Sequence, residues 1–258
     1  EGLIAGAQPN EEILQNLKGD MIKSRADAKL NQSRCFGALQ RYMIYGSDFI
    51  RRTTLTDPAL QGLTSEQLLA KIGDLMGKQH EVLYYGPQDE AEVKAALTAH
   101  HKVAADLQPL EKKFSTLQPT DENKVMLAQY DAKQLYYMQY SNRGEKFDLA
   151  ADPQITLYNE YFGGGMNTIV FQEMREARGL AYSAWANLAI PTNAKGDYYY
   201  MAFIATQNDK MQKAIEAFDE IINNMPESEK AFSIAKEALI SRLRTEPTRR
   251  VVISYAVF

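Results

Sequence analysis

Cysteine, tryptophan and histidine are scarce in this chain: of 258 residues, one is cysteine, one tryptophan and three histidine. With Cys35 alone there is no internal disulfide, and the redox compartment stays open. Beside Phe36 and Leu39 on a helical stretch, Cys35 reads as a small core residue. The histidines are His80, His100 and His101. A peptidase zinc site usually needs two histidines one helical turn apart plus a carboxylate, so that lone pairs converge tetrahedrally. Neighbours about 100° apart on a helix cannot face one ion, and His80 stands well upstream at a strand entrance. No metal site is expected in the chain. Neither Ser183 nor Cys35 has a histidine near it in sequence, which removes support for a nucleophilic triad.

Charge of one sign is lacking too. The net charge is -4, and no basic cluster suggests a nucleic-acid partner. Arg249-Arg250 and Lys112-Lys113 read as solvated faces. No apolar run approaches the roughly 20 residues that span a bilayer. The start, Glu-Gly-Leu-Ile-Ala-Gly, lacks the pattern of a secretory leader, so any leader is expected upstream.

What is present is a composition able to bury a core: 45% hydrophobic and 24% charged residues, over a length that suits one large domain or two ordinary ones. Pro9-Asn10-Glu11-Glu12 signals a helix start, and apolar spacing predicts a helix over 10–45, interrupted near Asn31-Gln32-Ser33 and stopped at Gly46. Thr64 caps a second helix that Gly77 closes. A strand follows over 81–85, then a helix over 90–101. The polar, proline-dotted stretch 107–121 is the expected linker.

Beyond it, strands are expected at 125–130, 134–141, 180–190 and 197–207, the last two as a hairpin. Helices are expected at 153–162, 166–178, 209–225 and 227–245, packed on one sheet face. The fold class is therefore α+β, with a mostly antiparallel sheet backed by helices. The final run from Val251 to Phe258 is apolar and lacks a polar tail, so the chain is expected to be a fragment.

Gly163-Gly164-Gly165 precede the helix expected over 166–178. They do not make a dinucleotide fingerprint: the segment before them looks helical, position 168 is threonine, and there is no P-loop lysine. Their plain role is to let the chain turn sharply, and this is compatible with a backbone lying beside a substrate cleft. Arg175 is carried on the helix side, with Phe171 and Met174 toward the core. Gly179 should end the helix in a left-handed cap, and Tyr182 opens the next strand. Residue chemistry alone leaves two readings. One is an ordinary ion pair of Arg175 with Glu173 or a neighbour, plus a half-buried tyrosine. The other is a cation and a phenol that together bind a peptide carbonyl or an oxyanion.

Gly163-Gly164-Gly165, Phe171, Arg175-Glu176 and Gly179-Leu180-Ala181-Tyr182-Ser183 closely resemble the substrate-side motif of the pitrilysin/insulinase family of zinc metallopeptidases. More diffusely, the helix from Leu63 to Leu68 and the strand from Glu81 to Pro87 resemble the end of one family repeat. The resemblance implies repeat-type α/β domains, with 1–106 the tail of one repeat, 107–121 a linker and 122–258 most of the next. It implies a zinc endopeptidase that cleaves peptides in an enclosed chamber. Arg175 and Tyr182 would act catalytically, and Gly163, Gly164, Gly165, Leu188, Ala189 and Ile190 would contact peptide. The family's inverted His-x-x-Glu-His motif is absent. Zinc would thus be bound outside this chain, upstream in the same polypeptide or on a partner subunit; otherwise the chain is a degenerate member. The rival implication is a non-catalytic, peptidase-like subunit with a binding or structural role. The compartment is left open, with a bacterial periplasm or cell envelope as the expectation.

Overall fold

The computed structural model describes residues 6–101, 105–110, 116–163, 165–245 and 253–256. Gly164, the middle of the expected linker and half of the apolar final run lie outside them. Four helices come first: α1 (Glu11–Ala28), α2 (Gln32–Thr53), α3 (Asp57–Gln61) and α4 (Ser65–Met76). Strand β1 (Glu81–Tyr84) and helix α5 (Glu90–His100) follow. Then come β2 (Gln134–Ser141), α6 (Asp152–Phe162), the short α7 (Ile169–Phe171), β3 (Ser183–Ala189) and β4 (Tyr199–Gln207). Helices α8 (Met211–Asn223) and α9 (Glu229–Thr245) precede the terminal β5 (Ile253–Ala256).

The chain forms two compact units. The first comprises Glu1–Ala28, Thr54–Phe114 and Pro247–Phe258. Its helix starts are written locally. The Asn10 side chain accepts from Ile13 N at 2.9 Å, and Thr64 with Gln67 and Asp89 with Glu92 form capping boxes. Lys18 is buried, and its ammonium donates to the carbonyls of Gln61, the last residue of α3, and of Leu63 just beyond it. Strands β1 and β5 pair antiparallel, with Glu81 opposite Ala256.

The second unit comprises Lys29–Thr53 and Ser115–Glu246. The helix expected over 10–45 is two helices, because Asn31 caps a new start by accepting from Arg34 N at 3.0 Å. Gly46 stops the first segment of α2 as expected: it is non-helical, with φ 73°, and a second segment continues past it to Thr53. The kink frees the Ile44 carbonyl, which Gln118 N reaches at 2.7 Å. The expected linker is thus bonded at its described ends, through Gln118 and Thr120 here and through Gln108 to Gly77 in the first unit.

Among the described residues the sheet of this unit has three strands, in the order β2-β4-β3, all antiparallel. At least four strands are expected from the sequence; residues 125–130 form none. Their alternation is genuine, but Val125 and Leu127 are almost fully exposed and no neighbouring strand satisfies them. The hairpin of β3 with β4 is present, and β4 is the central strand.

Helices pack on both faces of the sheet rather than on one. On the first face, Ala184 lies opposite Ile204 and Ala186 opposite Ala202. These small residues admit Phe162, Ile169, Val170 and Met174, and from α8 Ala214, Ala217, Phe218 and Ile221. Phe162, Phe218, Met174, Ile204 and Ile221 are essentially inaccessible, each contributing about 1.5–3 kcal/mol by burial. The second face is aromatic: Phe36 of α2 meets Tyr136 and Phe203, and Trp185 stacks on Phe203.

Where α6 ends, Gly163 lies directly on β3, with its carbonyl accepting from Ala186 N at 3.2 Å. A side chain there would press into the Ala186 backbone, whereas one at Gly165 would meet open space. Gly163→Ala should therefore destabilise the chain by about 1–3 kcal/mol, the usual cost of overpacking, while Gly165→Ala should be nearly neutral. Thermal unfolding of the two variants checks this, and equal melting temperatures would refute the seam.

Candidate functional site

After the glycines the chain makes a turn in which Thr168 N and Oγ1 bond the Gly165 carbonyl at 3.2 and 2.6 Å. Helix α7 then runs into a π turn over Gln172–Ala177, so the helix expected over 166–178 starts later and widens. Arg178 N reaches back five residues to the Glu173 carbonyl at 3.2 Å. In an α-helix the residue four beyond buried Met174 would share its face; here the widened turn carries Arg178 to the surface. Val170 and Met174 fill the core, while Phe171, expected to join them, is only partly buried.

Gly179 has φ 58°, the expected left-handed cap. The Met174 carbonyl accepts from both Leu180 N and Ala181 N, at 2.9 and 3.2 Å, closing the turn onto the residue before Tyr182. Thr206 Oγ1 donates to the Leu180 carbonyl at 2.6 Å, and Lys210 Nζ to that of Gly179 at 3.2 Å. Arg178 binds Glu220 of α8 at 2.7 Å and approaches Glu173 at 3.5 Å. The hydrogen bond from Arg178 lowers the Glu220 carboxyl pKa, and Glu220 in turn raises that of Arg178.

Arg175 projects from the π turn with its side chain 51% exposed. Its carbon Cζ lies 5.1 Å from the centre of the Phe171 ring, and its Nε is 3.6 Å from Glu176. The second distance is longer than a hydrogen bond, so the ion pair is loose. Tyr182 is 50% exposed. Its N–H donates to the Ala205 carbonyl at 2.8 Å, and its hydroxyl accepts from Gln207 Nε2 at 2.8 Å. Because the phenol oxygen accepts, its own proton is left to donate. No hydrogen bond or ion pair joins Arg175 to Tyr182 among the described residues.

The other sequence candidates divide. Gly163 is buried on the α6–β3 seam, and Gly165 is exposed in the turn. Leu188, Ala189 and Ile190 are half-buried along the end of β3. Both main-chain groups of Leu188 are taken by the Asn159 side chain, at 2.8 and 2.9 Å. Asn159 and Gln207 are missed by sequence reasoning. Asn159 did carry a signal, a polar residue in the stripe formed by Ile155, Tyr158 and Phe162; Gln207, at a strand end, carried none.

The fold also joins two histidines that spacing kept apart: His80 Nε2 lies 2.7 Å from His101 Nε2, and His80 Nδ1 2.7 Å from the Lys78 carbonyl. They form a pair, and among the described residues no group of three or more His, Cys, Asp or Glu is placed to hold a metal ion.

An α+β chain with this motif defines a class, and comparison with known proteins places the chain within it. Residues 62–239 match the family described as the peptidase M16 inactive domain. The chain belongs to that family, in agreement with the resemblance to pitrilysin/insulinase peptidases. No curated protein matches it in sequence. Its fold is similar to the peptidase M16 inactive domain from Pseudomonas fluorescens, at 19% identity and a TM-score of 0.64, over 90% of this chain and 56% of that one. It is similar as well to the periplasmic protease PqqL from Escherichia coli, at 15% identity and a TM-score of 0.61, over 91% of this chain and 26% of that one. A conserved protein from Enterococcus faecalis V583 gives 13% identity and a TM-score of 0.58, over 94% of this chain and 57% of that one. At these identities the likeness is one of fold. The chain spans from about a quarter to just over half the length of these proteins. No helix among the described residues is long and apolar enough to cross a membrane.

The Arg178–Glu220 contact holds α8 to the motif, and its pH dependence has a fixed sign. With the folded pKa of Glu220 below its ordinary 4.5, the stabilisation is present at neutral pH and fades as acid protonates the carboxylate. NMR titration should find Glu220 below 4.5, and Arg178→Ala should return it upward. An unchanged titration in the variant would dissolve the clamp.

Proposed function

We propose that this chain is the substrate-side part of a zinc metalloendopeptidase, with the zinc-bearing half in the same polypeptide or on a partner subunit. The carrying observation is the pair on the cap of the π turn. Arg175 is half exposed with only a loose ion pair, and Tyr182 is half exposed with an undonated phenol proton. Tyr182 would donate to a peptide carbonyl, more strongly as that oxygen gains negative charge. Arg175 would hold a neighbouring carbonyl or carboxylate through its remaining N–H groups. Gly165, Leu188, Ala189 and Ile190 would line the peptide's path, with Gly163 fixing the seam below them and Gly164 between the two glycines in sequence. Residues 1–106 and 122–258 would belong to successive family repeats joined through 107–121.

The described residues do not fit a zinc ion, since they offer no three-ligand group. A periplasmic or envelope location is proposed from the likeness to a periplasmic protease. The family description as an inactive domain favours one rival, a non-catalytic subunit that binds peptides or braces an assembly. The rival does not need Arg175 or Tyr182 to be accessible.

Two measurements test the proposal. In the full-length protein, Tyr182→Phe removes one hydroxyl and should lower peptide turnover by about one to three orders of magnitude, the loss typical of one oxyanion donor. Arg175→Ala should lower both turnover and peptide affinity. Wild-type turnover in a folded Tyr182→Phe protein would defeat the catalytic reading. Separately, this chain alone, stripped with chelator and reloaded, should hold no stoichiometric zinc by elemental analysis. One tightly bound zinc per chain would contradict the placement of the metal elsewhere.

A further inference from the structure

Resting on the proposed role of Tyr182, we infer that Gln207 is a positioning residue that aims and strengthens the phenol as a hydrogen-bond donor. Tyr182 lies in a bend just before β3, with its N–H already bonded to the central strand. Two residues of the central strand hold it at both ends. The Ala205 carbonyl accepts its N–H, and the Gln207 amide, two residues further on, donates to its hydroxyl, both at 2.8 Å.

Gln207 is suited to this work because its backbone is fixed. It is the last residue of β4 and lies opposite Gln134 of β2, so its amide reaches out from a paired strand rather than from a loop. The phenol, by contrast, is half exposed and would otherwise turn about its ring–oxygen bond. An N–H directed at the phenol oxygen occupies a lone pair and leaves the O–H free to point away from the amide. Accepting one hydrogen bond also makes a hydroxyl a better donor, by about 10–30% per bond in a chain. The sequence N–H to O–H to substrate oxygen is thus a relay of polarity in which no proton leaves the amide. The effect is largest where the substrate oxygen carries most charge, so it should be felt in turnover more than in binding.

Gln207→Ala and Gln207→Glu in the full-length protein, each alone and combined with Tyr182→Phe, separate this role from a structural one. Peptide kcat and KM are measured alongside thermal unfolding. Gln207→Ala should lower kcat about 3- to 10-fold, the size of one neutral hydrogen bond, with KM nearly unchanged. Gln207→Glu keeps the shape but presents a carboxylate that captures the phenol proton, and should lower kcat further than alanine. In the Tyr182→Phe background, Gln207→Ala should have no additional effect, because the hydroxyl through which it acts is gone.

The results distinguish the two claims. A damaging Tyr182→Phe with a neutral Gln207→Ala overturns the positioning role and leaves the substrate-side reading standing. Equal, additive losses in both backgrounds make Gln207 structural and overturn the inference as well. A rise in kcat for Gln207→Ala would mean that the amide presents its oxygen and consumes the proton, the reverse of what is inferred. Wild-type turnover in Tyr182→Phe removes both claims together.

Discussion

The second unit depends on how closely a helix can approach a strand. Gly163 brings the end of α6 onto β3 with no side chain between them, and Ala184, Ala186 and Ala202 keep the sheet surface low where the helices land. Bulk is supplied from the other side of the interface, by Phe162, Met174, Phe218 and Ile221. The low alanine surface beside Gly163 lets α7 and the π turn settle against the core face. The placement of Arg175 follows from it. Met174 is the anchor, and the residues that continue the turn are pushed outward because their shared face is already filled.

The π turn has a further cost and use. It gives up regular i to i+4 bonding, and the released carbonyl of Met174 accepts two N–H groups from the chain that leads to Tyr182. A local irregularity in the helix thereby becomes the tie between the arginine-bearing turn and the tyrosine-bearing strand. Thr206, Lys210 and Arg178 add bonds around the same cap. Several weak contacts surround a few half-exposed side chains, an arrangement that positions groups without burying them.

Much of the fold was legible because its signals are local. The caps at Asn10 and Thr64, the left-handed Gly179, the hairpin of β3 and β4 and the motif with Arg175 and Tyr182 all rest on residues close together in sequence. The failures share a cause as well: each depends on a partner far along the chain. The helical segment beyond Gly46, up to Thr53, was not read from the sequence, and at the break between the segments Gln118 takes the freed Ile44 carbonyl. Val125 and Leu127 alternate like a strand but find no edge to join. His80 meets His101 only because β1 and α5 fold back together. Residue type announced neither the π turn nor the helix on the aromatic face, since both are settled by packing.

The Asn159 side chain has a consequence for how a peptide could be read. Strand β3 lies at the margin of its sheet, and a free margin invites an extended peptide to zip on as one more strand. Here the outward N–H of Ala186 is spent on Gly163, and both polar groups of Leu188 are spent on Asn159. A peptide bound as proposed would find no ladder to join along that stretch. On the proposed reading, the grip on a peptide would come from side chains above the sheet, contacts that tolerate a shift of register.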